Sequence, residues 1–333
     1  MRVAVVGLGY WGPNHVRNLA ALDACTGIVA VDVDAKRAAD VARAHVGTEP
    51  ATDLDEVLRD DSVAAVVLAT PVDTHATLAR RIIDAGKSVL IEKPFATSRV
   101  DAEELVALAG SRGVLAAAGH TFLYSPPVLA VRDLLRGGEL GEPIYLHSSR
   151  VNLGIHSTDV SVLWDLLPHD LSILLHWVDE RPQSVSATGR ASVAGHPPDV
   201  AFVDIGFASG FVANLHLSWL APTKVRRMTL VGTRRMVVYE DTHPDEPVKV
   251  YDKGVDIPDP EDFGEYKLIY RTGDIVSPRV PVWEPLRHEL QDFLTRVAAG
   301  ETPDEREQRV VDIVAAVEAA EKSMNDGGTP VLL

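Results

Sequence analysis

The sequence has little cysteine and no long apolar run. Its one cysteine, Cys25, excludes an intramolecular disulfide, and no histidine stands at a metal-ligand spacing from it. Cys25 is therefore interpreted as a small buried apolar residue, and no metal is predicted. The longest apolar runs have the length of a strand, which excludes a membrane-spanning helix. Because the N-terminal stretch shows no signal-peptide pattern, a cytoplasmic location is expected.

Positive charge is also scarce. Lysine and arginine number 32 against 48 acidic residues, giving a formal net charge of -16. Sustained binding to nucleic acid or to an anionic membrane needs a basic surface, so neither is expected as a partner. A neutral or cationic small ligand suits this charge slightly better than a strongly anionic one. The 333 residues are enough for two domains with sizeable cores.

A glycine-rich turn follows the first predicted strand, Arg2–Val6, and leads into a helix near 14–21. The turn has the pattern G-x-G-x-x-G in the strand-turn-helix setting of dinucleotide-binding proteins. The first glycine makes the turn, the second lets the backbone approach a pyrophosphate, and the third lets the helix pack on the strand. The residues of the turn predicted to bind the cofactor are Gly7, Gly9, Tyr10, Trp11 and Gly12.

An aspartate ends the second predicted strand, Gly27–Val31. The carboxylate of Asp32 would bind the ribose hydroxyls of the adenosine half of NAD. It favours NAD over NADP, because it would repel a 2′-phosphate, although Lys36 and Arg37 lie close enough to leave NADP open. The alternative is a structural turn followed by an exposed aspartate.

Strands and helices continue to alternate up to about residue 121. Further strands are predicted at Ala64–Ala69, Ser88–Ile91 and Gly113–Ala118, with helices at Asp53–Arg59, Thr74–Ala85 and Asp101–Ala109. This alternation predicts an α/β fold, with a Rossmann domain and its doubly wound parallel sheet over residues 1–121. Thr70 and Pro71 should border the cofactor. His75 is counted with them, and a role in starting a helix is favoured for it over catalysis.

A charged pair stands directly after a buried strand in Ile91–Phe95. Ligands bind outside the carboxyl ends of the strands in such sheets, so Glu92 and Lys93 are placed for chemistry. The alternative is a surface ion pair of little energetic value. The Lys93–Pro94 bond could be cis or trans.

Residues 122–333 are predicted to form an α+β domain with a large, mostly antiparallel, open-faced sheet and C-terminal helices. Alternating apolar residues from Val185 onward indicate its strands. One face should cover helices, and the other is free to join a second subunit in a homodimer or homotetramer. Asp241–Glu265 is interpreted as a long excursion, and Thr302–Glu305 as the capping box of the last helix.

Asp165 and His169 stand four residues apart in a predicted helix. One turn apart, a carboxylate can fix the tautomer of an imidazole and stabilise its cation, as a general base requires. The alternative is that Asp165 only caps the helix. Pro168 favours that alternative, because proline prefers the first turn.

Together these motifs resemble the Gfo/Idh/MocA oxidoreductases, named for glucose-fructose oxidoreductase, inositol dehydrogenase and a rhizopine-catabolism protein. The likeness covers nearly the whole chain, and its motifs are the glycine-rich turn, Ala69–Pro71, Glu92–Pro94, and Asp165 with His169. Gly9–Asn14, Arg150–Gly154 and Trp164–Asp170 look like the branch that includes 3-dehydrogenases of nucleotide-linked sugars. Leu167 departs from that branch, where a small residue is expected.

The resemblance implies an NAD-dependent dehydrogenase that oxidises a secondary hydroxyl of a sugar, at C3 in that branch. The sugar would be NDP-linked or part of an aminoglycoside or aminosugar, and the keto product would serve amino-sugar or antibiotic-type biosynthesis. Lys93, Asp165 and His169 would be catalytic, and Glu92 and Lys93 would also contact the cofactor. The implied substrate-binding residues are Lys93, His120, Tyr124, Arg150, Asn152, Asp165 and His169.

Some alternatives stay open. An ordinary salt bridge is the alternative for Arg150. Some relatives are sugar or NAD sensors without turnover, and others recycle tightly bound NAD in glycoside hydrolysis or dismutation. Retained Lys93, Asp165 and His169 argue against a sensor.

Overall fold

The structure is a computed structural model that describes residues 1–154, 160–256 and 268–333. The chain divides into two compact units. The first comprises Met1–Tyr124 and Glu284–Glu318, and the second comprises Ser125–Trp283 and Ala319–Leu333.

A six-stranded parallel sheet forms the centre of the first unit. Its strands are β1 (Arg2–Val6), β2 (Gly27–Val31), β3 (Thr48–Ala51), β4 (Val63–Leu68), β5 (Ser88–Glu92) and β6 (Ala116–Gly119). Their spatial order is β3-β2-β1-β4-β5-β6, with every pair parallel. This is the doubly wound Rossmann order, which confirms the predicted fold class. Strand β3, a short edge strand that contains Pro50, was not predicted from the sequence.

Helices alternate with these strands: α1 (Gly12–Leu19), α2 (Ala35–Ala44), α3 (Leu54–Arg59), α4 (His75–Asp84) and α5 (Arg99–Arg112). Short 3₁₀ helices lie at Val72–Thr74 and Thr121–Tyr124. Local chemistry sets the ends of α5. Ser98 caps its N-terminus by accepting from the backbone N–H of Asp101, and Gly113 ends it in the left-handed conformation with φ of 68°.

Near the C-terminus, after the helices α6 and α7 described below with the second unit, lie α8 (Pro285–Ala298) and α9 (Glu305–Asn325). Helix α8 and the first part of α9 belong to the first unit, so the expected division into 1–121 and 122–333 is wrong for these helices. The apolar face of α8 is buried in one cluster with β1 and α1, comprising Leu286, Leu290, Phe293 and Leu294 with Val3, Val5, Val16 and Leu19. An apolar stripe predicts that a helix is covered, but not by which sheet.

The capping box of α9 lies two residues beyond the predicted Thr302–Glu305. Asp304 Oδ1 accepts from the backbone N–H of Arg306 at 2.7 Å, and Glu307 Oε2 accepts from that of Asp304 at 2.9 Å. These two bonds satisfy N–H groups at the start of the helix reciprocally.

The second unit contains a nine-stranded sheet. Its strands are β7 (Pro143–Val151), β8 (Pro182–Arg190), β9 (Val200–Phe207), β10 (Val212–Ser218), β11 (Val225–Gly232), β12 (Met236–Glu240), β13 (Val248–Asp256), β14 (Ile269–Val276) and β15 (Val331–Leu332). The order is β14-β13-β12-β11-β7-β10-β9-β8-β15, antiparallel except for the central pair β7 and β10. The mostly antiparallel sheet of the prediction is therefore confirmed.

The two faces of this sheet differ. Ala201, Val203 and Ile205 of β9 are buried, whereas Phe202 between them is 45% exposed. Helices α6 (Pro126–Arg136) and α7 (Val162–Trp177) accompany the sheet, and α7 packs against β7, β9 and β10. One face is therefore covered and the other is open, as an antiparallel sheet permits.

The predicted excursion Asp241–Glu265 is wrong for 248–256, which form β13. Residues 257–267 lie outside the described residues.

No helix in the described parts of the chain is both long and apolar enough to cross a bilayer. Within residues 1–154, 160–256 and 268–333, no group of three or more His, Cys, Asp or Glu side chains could hold a metal ion.

Candidate active site

The candidate residues of the first unit follow the carboxyl ends of its strands. The glycine-rich turn follows β1, Asp32 follows β2, Thr70 follows β4, Glu92 ends β5 and His120 follows β6. Because parallel strands end at one edge of a sheet, these loops share the edge where open α/β sheets bind ligands.

The three glycines of the turn differ in how much space a side chain would have at each position. Gly7 has φ of +88°, and a Cβ added there would lie 2.6 Å from the carbonyl oxygen of Ala69. A Cβ at Gly12 would collide with the carbonyl oxygen of Gly7, whereas one at Gly9 would meet no atom within 4 Å. The turn is thus closed around Gly7 and Gly12 and open at Gly9, which fits the close approach of a pyrophosphate. Beside the opening, Tyr10 is 82% exposed and Trp11 is 41% exposed.

Asp32 is buried at 7% exposure, so the alternative of an exposed aspartate is wrong. Its Oδ2 accepts from the backbone N–H of Leu8 at 2.8 Å, and its Oδ1 accepts from that of Asp34 at 2.9 Å. Arg37 Nη1 lies 3.3 Å from Oδ2. Burial alone would raise the pKa of Asp32, but the two N–H donors and Arg37 bring that pKa below its ordinary value. An ionised carboxylate is therefore tied to the glycine-rich turn, in keeping with ribose binding.

His75 begins α4, as the sequence favours. Its Nδ1 lies 2.9 Å from the carbonyl oxygen of Pro94, and its Nε2 lies 2.9 Å from that of Thr70. The ring is 1% exposed. His75 thus holds the loop carrying Thr70 and Pro71 to the loop that follows β5.

Glu92 is buried at the end of β5, directly before the loop that carries Lys93. Its Oε1 lies 2.7 Å from Nε2 of His15, and its Oε2 accepts from the backbone N–H of Lys93 at 3.1 Å. The Lys93–Pro94 bond is cis. The alternative of a surface ion pair therefore does not hold, because Glu92 is an internal anchor of the loop. Sequence reasoning missed His15, although a polar residue next to Val16 on the buried face of α1 was a usable signal.

His120 and Tyr124, both predicted to bind substrate, belong to the first unit, and Tyr124 is held there by a hydrogen bond. The Tyr124 hydroxyl donates to Asp292 Oδ2 at 2.8 Å, and burial together with Asp292 raises the pKa of Tyr124 above its ordinary value. Burial lowers the pKa of His120 to about 4, so its ring is neutral at pH 7.

Glu289, on α8, is a further buried carboxyl group of the first unit. Glu289 is 1% exposed, and its Oε2 accepts from the Thr121 hydroxyl at 2.8 Å. Burial and the nearby Glu92 raise the pKa of Glu289 well above its ordinary value of 4.5. The sequence gives Glu289 no motif, and its distance along the chain from Glu92 hides their proximity.

In the second unit, α7 carries the catalytic candidates. Asp165 and His169 are both partly exposed, whereas Leu167, Pro168 and Asp170 are buried. Asp165 Oδ2 accepts from the indole N–H of Trp219 at 3.1 Å. Ser161 is the residue at the N-cap, and Pro168 lies inside the helix rather than in its first turn. The side chains of Asp165 and His169 therefore share the partly exposed face of α7, one turn apart.

Arg150 and Asn152 lie at the end of β7. Arg150 Nε donates to Asp170 Oδ1 at 2.6 Å, and both side chains are nearly buried, so the salt bridge left open by the sequence is present. The Ser148 hydroxyl donates to the other oxygen of Asp170 at 2.7 Å. Asn152 is half-buried and is fixed through its backbone, which donates to the carbonyl oxygen of Ser218 and accepts from the N–H of Ala221.

Comparison with known proteins places these features in context. UDP-N-acetylglucosamine 3-dehydrogenase from Acidithiobacillus ferrooxidans is 33% identical over 231 residues, covering 69% of this chain and 71% of that protein. Inositol 2-dehydrogenase 1 from Saccharopolyspora erythraea is 38% identical over 44% of each chain. The crystal structure of GenD2 from gentamicin A biosynthesis, in complex with NAD, has a TM-score of 0.83 and 28% identity, covering 100% of this chain and 96% of that one.

Family profiles match both units. The oxidoreductase family with an NAD-binding Rossmann fold matches residues 1–120, and the Gfo/Idh/MocA C-terminal domain matches residues 128–238. The open glycine-rich turn and the buried, ionised Asp32 fit the cofactor that the first family binds. The chain therefore belongs to the Gfo/Idh/MocA family and is an NAD-dependent oxidoreductase that acts on CH–OH groups.

Proposed function

We propose that the enzyme oxidises the C3 hydroxyl of a sugar to a 3-keto sugar. The sugar is NDP-linked or part of an aminoglycoside or aminosugar, and the product enters amino-sugar or antibiotic-type biosynthesis. The observation that carries this proposal is that Asp165 and His169 lie one turn apart on the partly exposed face of α7. The similarity to UDP-N-acetylglucosamine 3-dehydrogenase supports the substrate class.

The chemistry follows from the charge that develops. Oxidation of a secondary alcohol requires its hydroxyl proton to leave as the hydride leaves carbon. His169 takes that proton as the general base, and Asp165 orients the imidazole and stabilises its cation. The indole N–H of Trp219 holds one oxygen of Asp165, which fixes the carboxylate in turn.

Lys93 stabilises the reacting oxygen. Its ammonium donates a hydrogen bond to this oxygen and favours the anionic form that develops as the proton leaves. NAD, when bound, supplies the acceptor for the hydride.

The remaining candidates bind and position. The turn around Gly9 admits the pyrophosphate, Asp32 binds the ribose hydroxyls, and Thr70 with Pro71 borders the nicotinamide half. Asn152 contacts the sugar, and Arg150 holds the strand that carries Asn152. His120 and Tyr124 shape the loop after β6 from within.

Substrate-dependent formation of NADH tests this proposal. Purified enzyme is given NAD with UDP-N-acetylglucosamine and other NDP-hexoses, aminoglycosides, free aminosugars or inositols, in separate reactions. We expect turnover with one of the sugar classes, and transfer of deuterium to the cofactor from a substrate labelled at C3. Turnover of inositol alone, or transfer from another carbon, would contradict the proposal.

The alternatives give different signals. A sensor would be stabilised by sugar without forming NADH. An enzyme that recycles its cofactor would retain NAD through purification and convert sugar without net NADH.

The open face of the nine-stranded sheet is proposed to join subunits in a homodimer or homotetramer. Its exposed apolar residues include Tyr145, Phe202 and Val212, at 42%, 45% and 53% exposure. Replacing Phe202 with Glu should lower the mass measured by light scattering, whereas the same change at Val100, 62% exposed on the first unit, should not. An unchanged mass for Phe202→Glu would argue for another interface.

A further inference from the structure

Glu92 links two parts of the first unit through its two carboxylate oxygens. One oxygen bonds to His15 on α1, the helix that follows the glycine-rich turn. The other accepts from the backbone N–H of Lys93. A continuous chain of hydrogen bonds therefore runs from the helix of the cofactor turn to the peptide unit of the proposed catalytic lysine.

The bond to Glu92 explains why a polar side chain, His15, occupies a buried position. An ionised carboxylate only accepts, so Nε2 of His15 carries the proton in the contact. The ring is 0% exposed, and its Nδ1 has no hydrogen-bond partner in the described part of the chain. A buried imidazole with an unpartnered nitrogen costs free energy that an apolar side chain would not. Its one N–H is directed at Glu92.

The other side of the same loop is anchored as well. Pro94, the residue after Lys93, has its carbonyl oxygen 2.9 Å from Nδ1 of His75. The backbone is thus held immediately before and immediately after the Lys93 side chain. Fixing the peptide planes on both sides sets the direction in which that side chain leaves the backbone.

We propose that His15 is a positioning residue for Lys93 and acts through Glu92. The inference rests on the role proposed above for Lys93 in stabilising the reacting oxygen. A lysine side chain has about 2 kcal/mol of rotamer entropy, so placing its ammonium depends on a fixed starting point. Misplacement of a catalytic group by ~1 Å can reduce the rate on the order of 100-fold.

A pair of variants at one position tests the bond. His15→Leu fills the buried space without a donor, whereas His15→Gln offers an amide N–H at the end of a side chain that can reach Glu92. We expect His15→Leu to lower kcat by about 10- to 100-fold and His15→Gln to recover most of the loss. The dissociation constant for NADH, measured by fluorescence without sugar, should stay close to that of the parent in both. Equal loss in the two variants, or no loss in His15→Leu, would overturn the proposal.

A readout without turnover uses the protein free of cofactor. In ¹H–¹⁵N spectra of the histidine rings, the signal that disappears in His15→Gln belongs to His15. It should show a proton on Nε2. A ring protonated at Nδ1 alone would contradict the assigned hydrogen bond.

Combining variants separates this inference from the proposed function. If His15 acts through Lys93, adding His15→Leu to Lys93→Met should cause no further loss of kcat, because the two effects are coupled. Multiplicative losses would show that His15 acts elsewhere. Full activity of Lys93→Met alone would instead remove the role proposed for the lysine, whatever His15→Leu does.

Discussion

The two units hold their candidate residues in different ways. In the first unit, backbone groups of loops hold two of the candidates, since Asp32 accepts from two N–H groups and His75 lies between two carbonyl oxygens. In the second unit, side chains hold the charged candidates, as Trp219 donates to Asp165 and Arg150 pairs with Asp170. Substitutions in the first unit should therefore act through loop shape, and those in the second through the loss of a charge or its partner.

The largest effect on kcat is expected from removing the imidazole of His169, the proposed general base, in the second unit. His169→Ala should lower kcat by a factor of ~100 to 10,000, the range of general-base catalysis. NADH should still bind, because the residue lies outside the cofactor turn. Steady-state kinetics and NADH fluorescence measure the two quantities. Full activity in this variant would remove the assignment.

Two ion pairs give a comparison between the units. Arg150→Met leaves Asp170 buried without its cation and should lower the free energy of unfolding by about 3–5 kcal/mol. Arg37→Met removes a partner of Asp32 whose side chain is 50% exposed, so the expected loss is about 0–1 kcal/mol. Urea unfolding of both variants measures the difference. Similar losses would contradict the contrast in burial.

Two glycines of one turn separate folding from binding in the first unit. Gly12→Ala places a methyl group against the carbonyl of Gly7 and should cost about 1–3 kcal/mol of stability. Gly9→Ala meets no protein atom within 4 Å, so its stability should change by less than about 0.5 kcal/mol. It should nevertheless weaken NADH binding, because the methyl group occupies the approach of the pyrophosphate. If Gly9→Ala bound NADH normally, the open turn would have no role in binding.

Glu289 should make the free energy of unfolding of the first unit depend on pH. Its pKa is raised in the folded protein, so above its ordinary value of 4.5 the folded state keeps a proton that the unfolded chain has lost. The free energy of unfolding should therefore fall as pH rises from 4.5 toward the raised pKa, by about 1.4 kcal/mol per pH unit for one proton.

Glu289→Gln cannot lose this proton. The stability of wild type relative to the variant should therefore be lower at roughly pH 8 than at roughly pH 5, as measured by urea unfolding at each pH. A constant difference between the two proteins would show that Glu289 has no such shift.

Local signals account for what the sequence predicted well. Gly12 needs to be glycine because a Cβ there would meet the carbonyl oxygen of Gly7 in the same turn. The apolar face of α8 follows from its own periodicity. Such features depend on short stretches of chain, so a single sequence contains them.

Features that depend on distant parts of the chain were missed. The bond between His15 and Glu92 joins residues 77 positions apart, and the one between Thr121 and Glu289 joins residues 168 apart. Strand β13 was missed for another reason, because it pairs with the preceding strand, β12, but is flanked by acidic residues and prolines that indicate a loop. The periodicity of a helix can place a polar residue such as His15 on the buried face, but nothing local identifies the partner that it will find there.

The return of α8 to the first unit has a consequence for the order of folding. On the ribosome, residues 125–283 of the second unit are made before Leu290 and Phe293 can join the core around β1 and α1. Until then, the apolar surface that α8 covers has no partner, and incomplete cores of this kind are prone to aggregate. The first unit of the nascent chain therefore has to wait until residues 125–283 have been synthesised before its core can close.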